Sequence, residues 1–161
     1  MGIFKNCIFA CDIDGTLMDD GYLNPRNIEK IDFFVKEGGC FSLTSGRGLL
    51  AVKPIVSRLN SISKCILGNG GMIYDFKKCE VLHEDNIKIE DFSAIEYIFN
   101  NEKDVGIEFY SGDSVYTLRL TDELKTHQNY EKFCGRTISL EDSKKLKISK
   151  FLFTFKDASH R

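Results

Sequence analysis

Two acidic residues directly follow the first apolar run of this 161-residue chain, and their position restricts the folds open to it. The run Cys7–Cys11 has the continuous hydrophobicity of a strand buried on both faces of a parallel sheet. Carboxylates are costly to bury, yet the motif Asp12-Ile-Asp-Gly-Thr-Leu17 places two of them where that strand ends. Gly15 allows the backbone to turn sharply there. Because open parallel sheets bind ligands at the carboxyl ends of their strands, we expect a functional site at this position.

Strand-like and helix-like segments alternate as far as Gly71, which is typical of an α/β fold. Asn24-Pro25 predicts a helix start, with Asn as the cap and Pro at the first helical position. Gly38-Gly39 predicts its stop. The other predicted elements are a strand at Cys40–Thr44, a helix at Leu49–Leu59 and a strand at Cys65–Leu67. Pro54 is expected either to bend that helix or to delay its start.

After Gly71 the pattern changes to strands in hairpins, with helices between them. The predicted elements are a hairpin of Met72–Tyr74 with Glu80–Leu82, helices at Asp91–Asn100 and Thr121–Phe133, and strands at Gly106–Tyr110, Ser114–Leu118 and Ile148–Phe155. Antiparallel strands with helices on one side indicate a small α+β lobe. We therefore expect two domains, 1–82 and 83–161.

The composition is that of an ordinary globular protein, with 42% hydrophobic and 29% charged residues. Lys and Arg number 22 against 24 Asp and Glu, which argues against a nucleic-acid-binding surface. No apolar run approaches the roughly 18 residues of a membrane span, and the first residues lack the order of a signal peptide. We expect a cytoplasmic protein that binds neither nucleic acid nor membranes.

The six cysteines form no C-x-x-C pair and have no zinc-like spacing to histidine, which predicts reduced thiols without a catalytic role. Four lie in or beside apolar runs and are expected to pack as small hydrophobic side chains: Cys7, Cys11, Cys40 and Cys65. The histidines are far apart in sequence and are expected to be surface or structural residues: His83, His127 and His160.

A second polar motif, Leu43-Thr-Ser-Gly-Arg47, lies between the second predicted strand and the second helix. A hydroxyl and backbone N–H groups at a strand-to-helix junction form an anion site, helped by the positive end of the helix. Mg²⁺ would relieve the repulsion between the two acids, because it prefers carboxylate, carbonyl and water oxygens as ligands. Acids with a metal beside a phosphate cradle suit phosphoryl transfer, in which a carboxylate attacks in line.

These motifs resemble those of the haloacid-dehalogenase-like (HAD) hydrolases, and among them most of all the Cof-type (subclass IIB) phosphatases. The resemblance rests on Ala10–Leu17, on Leu43–Arg47 and on Leu67-Gly-Asn-Gly-Gly-Met-Ile73. It implies an α/β fold in which 1–82 form a Rossmann-like core with a parallel sheet. Residues 83–161 would form an α+β cap lobe of the C2B type, incomplete at its C-terminus.

The resemblance also implies a Mg²⁺-dependent phosphatase that hydrolyses small phosphorylated metabolites, above all sugar phosphates, through an aspartyl-phosphate. Asp12 would be the nucleophile, with one oxygen on Mg²⁺. Asp14 would be the general acid/base and would bind the metal through its backbone carbonyl. The phosphate site and the border of the substrate pocket would fall to two pairs of residues: Ser45 with Gly46, and Asn69 with Gly70.

Two further motifs of the family, a lysine and an acidic loop that completes the magnesium shell, have no match in this chain. We therefore expect the chain alone to be a poor catalyst or none. Without the later strand that flanks the first one in this fold, Cys7–Cys11 would present an unpaired apolar edge. The sequence leaves two alternatives open, a phosphosugar mutase and a truncated or degenerate non-catalytic binding or regulatory module. It also leaves the oligomeric state open.

Overall fold

Residues 2–157 are described by a computed structural model, in which the chain divides into two units between Glu84 and Asp85. The sequence placed the division between residues 82 and 83, which lies inside the last strand of the first unit. Within the described residues, no helix has the length and apolarity that crossing a membrane requires.

The first unit contains a five-stranded sheet with the order β1-β4-β5-β6-β7. Strands β1, β4 and β5 are parallel, and β6 and β7 continue the sheet in antiparallel pairing. The elements of this unit are β1 (Ile8–Asp12), β2 (Met18–Asp19), β3 (Tyr22–Leu23), α1 (Pro25–Lys36), β4 (Cys40–Thr44), α2 (Leu49–Val56), β5 (Lys64–Leu67), β6 (Met72–Asp75) and β7 (Glu80–Glu84).

The helix α1 begins and ends at the signals that the sequence contains. The side chain of Asn24 accepts a hydrogen bond from the backbone N–H of Arg26, and Pro25 is the first helical residue. Gly38 follows the helix with φ of +92°, a conformation that glycine adopts without steric cost. The helix α2 ends at Val56, three residues before the predicted Leu59, and Pro54 lies in its last turn. The short β2–β3 hairpin was not predicted, because two-residue strands carry too little periodicity to be recognised.

The position of β1 differs from its sequence-based prediction. Among the described residues β1 pairs with β4 alone and lies at the edge of the sheet. Ile8 is 75% exposed and Phe9 is 51% exposed, so the prediction of a strand buried on both faces was wrong. A strand of a parallel sheet is buried on both faces only when neighbouring strands and helices cover it. Within the described residues, β1 instead presents the unpaired apolar edge that was expected without a later flanking strand.

All six thiols are free; two of them are buried and four are exposed. Cys11 and Cys65 are buried in the core of the first unit, together with Leu43 and Val52. Cys7 and Cys40 are exposed, contrary to the prediction that they pack as hydrophobic side chains. Cys7 directly precedes β1 and Cys40 is the first residue of β4, so both lie at the amino-terminal end of the strands.

The second unit has a four-stranded sheet with the order β10-β9-β8-β11 and a core around Ile107, Phe109 and Ile148. The central pairs β8–β9 and β8–β11 are antiparallel, as expected for an α+β lobe. The elements are α3 (Phe92–Asn101), β8 (Gly106–Ser111), β9 (Ser114–Arg119), α4 (Asp122–Glu131), β10 (Arg136–Thr137), α5 (Leu140–Ser143) and β11 (Lys150–Thr154). The two short elements β10 and α5 were not predicted.

A polar network lies inside this second unit. Glu108 is fully buried, and its two carboxylate oxygens accept hydrogen bonds from the Tyr110 hydroxyl (3.0 Å) and the Gln128 side-chain amide (2.7 Å). The imidazole Nε2 of His127 lies 4.0 Å from the same carboxylate. Of the other histidines, His83 is exposed on β7, and His160 lies outside the described residues.

Candidate active site

The turn after β1 holds the two acidic residues in a fixed arrangement. Asp12 is the last residue of β1, and the next side chain, that of Ile13, is completely buried. The backbone folds back on itself because the N–H of Leu17 donates to the carbonyl of Asp12 (3.2 Å) and Gly15 adopts φ of +72°. The buried Ile13 anchors the turn, and both acidic residues on either side of it remain exposed.

The turn after β4 presents the Ser45 hydroxyl. The Ser45 side chain is buried, and its backbone N–H donates to the carbonyl of Ile66 (2.9 Å). Its Oγ accepts a hydrogen bond from the backbone N–H of Arg47 (3.1 Å). A hydroxyl can donate one hydrogen bond while it accepts others. The Ser45 hydroxyl can therefore donate its own proton to an anion.

The loop after β5 is bonded to the turn after β4. The backbone N–H of Gly68 donates to the carbonyl of Arg47 (3.0 Å), and that of Asn69 donates to the carbonyl of Ser45 (3.2 Å). A Cβ atom at Gly46 would lie 2.6 Å from Oδ1 of Asn69, so the glycine permits this close approach. The two loops together form one wall of a cavity.

Five of the six residues that the sequence assigned to catalysis, phosphate binding and the pocket border line this one cavity of about 370 Å³: Asp12, Ser45, Gly46, Asn69 and Gly70. Thr44 and Ile66 complete its lining and were not predicted. The parallel register pairs Asp12 with Thr44 and Thr44 with Ile66. The ends of parallel strands lie at one edge of the sheet, so knowledge of the strand order would have identified both residues.

Asp14 does not line this cavity. Its carboxylate accepts hydrogen bonds from two N–H groups of the Arg47 guanidinium, with Nε 2.8 Å from Oδ2 and Nη2 2.9 Å from Oδ1. Such a two-point contact adds geometric specificity to the electrostatic attraction. Arg47 is the last residue of the motif Leu43–Arg47, and no role was predicted for it. The only sequence signal was its place at the end of that motif.

The side chains of this site do not by themselves form a complete magnesium site. Within residues 2–157, no group of three or more potential ligand side chains is placed to hold a metal ion. The Asp14 carboxylate is engaged by Arg47, which leaves the carboxylate of Asp12 as the acidic donor in the cavity. Magnesium requires six oxygen ligands in near-octahedral geometry, and the side chains of residues 2–157 supply too few of them.

A model of the haloacid dehalogenase-like hydrolase family matches residues 9–161 of the chain. The chain belongs to this family. The match takes in the turn after β1, both loops of the cavity and all of the second unit, so this HAD-like chain has the family's fold.

Solved structures of HAD proteins share this fold. A HAD-like hydrolase from Bacillus subtilis superposes with a TM-score of 0.79 at 16% identity, covering 95% of this chain and 63% of that one. A HAD subclass IIB sugar phosphatase gives a TM-score of 0.74 at 21% identity, covering 88% and 55%. A Thermotoga maritima protein gives 0.75 at 22% identity, covering 94% and 56%.

A candidate phosphatase of Mycoplasma pneumoniae is 27% identical in an alignment 97 residues long that covers 56% of this chain and 33% of the relative. The HAD-like chain thus spans a third of the length of this curated relative. It spans little more than half of the solved structures named above, and it corresponds to their N-terminal portion.

Proposed function

We propose that this chain carries the nucleophile and the phosphate-binding loops of a Cof-type phosphatase that acts on small phosphorylated metabolites, sugar phosphates in particular. In this proposal Asp12 is the nucleophile, Asp14 is the general acid/base, and Ser45 with the Gly46 amide holds the phosphate. Asn69 and Gly70 border the substrate pocket. The first unit is the HAD core, and the second is part of its α+β cap.

The observation that carries the proposal is the shared cavity. A carboxylate from β1, a hydroxyl from β4 and a polar loop after β5 line one space of about 370 Å³ at the carboxyl ends of three parallel strands. A phosphate group needs hydrogen-bond donors around its oxygens and a nucleophile in line with its leaving group. The cavity offers the Ser45 hydroxyl for the first requirement and the Asp12 carboxylate for the second.

The chemistry assigned to these residues is a two-step transfer. A carboxylate oxygen of Asp12 bonds to phosphorus as the phosphorus–oxygen bond to the substrate alcohol breaks, and Asp14 donates a proton to that alcohol. Water then attacks the phosphorus of the aspartyl-phosphate as the phosphorus–oxygen bond to Asp12 breaks, inorganic phosphate leaves, and Asp14 takes up one proton of the water. The ion pair with Arg47 keeps the Asp14 carboxylate outside the cavity, so this role requires Asp14 to leave that pair.

Magnesium belongs to the proposal as the cofactor, with Asp12 and the carbonyl of Asp14 as its ligands from this chain. When bound, it would neutralise part of the phosphate charge. Since these two donors are fewer than the ion requires, the rest of its shell has to come from the substrate, from water and from groups outside residues 2–157.

Trapping of the phosphorylated carboxylate tests the proposal. The chain is incubated with Mg²⁺ and acetyl phosphate, p-nitrophenyl phosphate or glucose 6-phosphate, quenched in acid, and mapped by peptide mass spectrometry. We expect slow addition of one phosphoryl group at Asp12, none in Asp12→Asn, and an unchanged result in Asp20→Asn. Asp20 is a matched control because it is exposed and has φ of +45°, which asparagine also tolerates. Labelling of another residue, or no labelling from any donor, would contradict the nucleophile assignment.

A non-catalytic binding module is the second candidate, and it is favoured by the ion pair that occupies Asp14 and by the incomplete set of metal ligands. A module of this kind would bind inorganic phosphate or a sugar phosphate through Ser45 without transferring it. Calorimetric binding of glucose 6-phosphate that is lost in Ser45→Ala, together with an absence of labelling at Asp12, would identify it.

A further inference from the structure

The helix α4 buries little apolar surface in the second unit. It packs on β8 and β11, and only two of its residues are buried, Leu124 and Gln128. The hydrophobic core of this unit takes in Phe92 and Ile95 of α3, and among the described residues no side chain of α4 belongs to it. Helices in proteins are held mainly by the packing of an apolar face. Since α4 has one buried aliphatic side chain, its attachment to the sheet depends on polar contacts as well.

These polar contacts meet at the carboxylate of Glu108 on β8. The Gln128 side-chain amide donates to Oε2 of Glu108 (2.7 Å) and to the Thr117 hydroxyl oxygen on β9 (3.0 Å). The neighbouring residue on the helix, His127, has its Nε2 4.0 Å from Oε1 of Glu108. The Glu108 side chain is completely buried, whereas that of His127 is 24% exposed. A buried carboxylate is costly to ionise unless a positive charge lies beside it, and a protonated His127 supplies one.

Three further titratable groups of the described chain surround this pair. Tyr110 on β8 donates its hydroxyl proton to Oε1 of Glu108 (3.0 Å), and Nζ of Lys150 on β11 lies 4.8 Å from the Tyr110 ring centroid. The charge of Glu131 on α4 acts on both Glu108 and Lys150. Because the charges of Lys150 and Glu131 offset each other, the cluster is neutral when one titrating proton resides on either Glu108 or His127. Loss of that proton leaves a net negative charge in a buried cluster.

We propose that one proton, shared between Glu108 and His127, holds α4 on the sheet of the second unit, so that α4 opens locally when the pair loses it. Burial raises the pKa of Glu108, while hydrogen bonds from Gln128 and Tyr110 and the charge of His127 oppose this increase. Stabilisation from such a group is present at low pH and is lost as pH rises through the raised pKa. The second unit thus contains a pH-sensitive switch, which does not depend on the proposed phosphatase chemistry.

Hydrogen–deuterium exchange at several pH values tests the proposal. In the 161-residue chain, the backbone amides of residues 125–131 in α4 are compared with those of residues 96–101 in α3. Division by the intrinsic exchange rates removes the direct effect of pH. Between about pH 5 and pH 8.5 we expect the protection of the α4 amides to fall about tenfold, which is the effect of one unit of pKa difference. At the upper pH they should be at least about tenfold less protected than the α3 amides, because α4 opens without global unfolding.

Two variants locate the proton. In Glu108→Gln the protection of the α4 amides should stay within about twofold at every pH, because the glutamine has no proton to lose. Glu123→Gln removes an equal charge elsewhere on α4 and should keep the fall seen in the parent protein. Proton NMR of the His127 ring supplies a second measurement. Its titration midpoint should fall by roughly half a pH unit or more in Glu108→Gln, whereas that of the exposed His83 should not move.

The proposal is overturned if the α4 and α3 amides are equally protected at every pH, if α4 protection in the parent is independent of pH, or if Glu108→Gln retains the parent's fall. An unmoved His127 midpoint would show that the two groups share no proton and would overturn it as well. Should Glu108→Gln fail to fold, the comparison of α4 with α3 in the parent still distinguishes local opening from global unfolding, since it requires no substitution.

Discussion

At the scale of single residues, the ion pair between Asp14 and Arg47 is a two-point contact at the candidate site. The Arg47 side chain is 13% exposed and the Asp14 side chain is 48% exposed, so solvent screens the pair only in part. Exposed ion pairs contribute about 0.2–1 kcal/mol, and two-point arginine–carboxylate pairs lie towards the upper end. The contact links the first two sequence motifs through their side chains.

Replacement of Arg47 measures this link. Arg47→Met should lower the free energy of unfolding by about 1 kcal/mol, because it leaves the Asp14 carboxylate without its partner. Lys125→Met, which removes an exposed ion pair with Asp122 on α4, should cost no more than about 0.5 kcal/mol. Urea denaturation gives both values. Equal losses of unfolding free energy in the two variants would show that the two-point geometry of the Arg47 contact adds no stability beyond that of an ordinary exposed ion pair.

The cysteines give a second prediction at this scale. Burial raises the pKa of the Cys65 thiol to about 11, and burial followed by the neighbouring Asp12 charge raises the pKa of Cys11. The thiolate is the reactive form, so both should resist a disulfide reagent near pH 8. Titration of the native protein should modify four thiols, those of Cys7, Cys40, Cys79 and Cys134, and denaturation should release the other two. Rapid reaction of all six thiols would contradict the burial of Cys11 and Cys65 in the core of the first unit.

At the scale of secondary-structure elements, the carboxyl ends of β1, β4 and β5 form the site, and the hydrogen bonds between their loops fix its shape. Asn69 and Ser45 are joined through the backbone, and Gly46 lies against the Asn69 side chain. The site thus depends on the parallel register of the strands. A shift of one residue would send every side chain to the opposite face.

The buried network between β8 and α4 predicts a pH dependence of stability. Burial raises the pKa of Glu108, although hydrogen bonds from Gln128 and Tyr110 partly oppose this. The folded state thus retains a proton that the unfolded chain releases near its ordinary pKa. Stability from this group is present at low pH and is lost as pH rises through the raised pKa, by about 1.4 kcal/mol for each unit of difference.

Glu108→Gln should remove this dependence, because a glutamine can accept from Gln128 and donate to Tyr110. Between about pH 4.5 and pH 8, the free energy of unfolding should fall more in the parent protein than in Glu108→Gln. Urea denaturation across this range measures the difference, with the exposed Glu90→Gln as a control of equal charge change. Parallel pH profiles for parent and Glu108→Gln would show that Glu108 is ionised when buried.

At the scale of the whole molecule, we expect the exposed edge of β1 to favour association between copies of the chain. An apolar edge strand without charges is a template for pairing between molecules. Ile8→Lys places a charge on that edge at a side chain that is 75% exposed, so the free energy of unfolding should change by less than about 0.5 kcal/mol. Light scattering of concentrated protein during mild heating should nevertheless fall clearly. No change, or an equal fall in Val81→Lys, would place the association elsewhere.

Much of this molecule could be predicted from local sequence, and the comparisons confirm the family and the fold class. The signals for these elements are local: the cap at Asn24, the stop at Gly38 and the continuous apolar runs. The helix and strands that they predict begin and end within a few residues of the predicted positions. The motifs after β1 and β4 identified the strand ends where polar residues cluster. The roles of Asp12, Asp14 and Ser45 stay predictions.

Tertiary structure alone decided which residues face each other. Strand order placed β1 at an edge, so Ile8 and Cys7 are exposed although their sequence context is that of a core strand. It also brought Arg47 to Asp14, 33 positions away in sequence, and Thr44 and Ile66 into the cavity. Sequence periodicity reports how one segment distributes its polar and apolar side chains. Burial and ion pairing depend on neighbours that the fold supplies, and these come from distant parts of the chain.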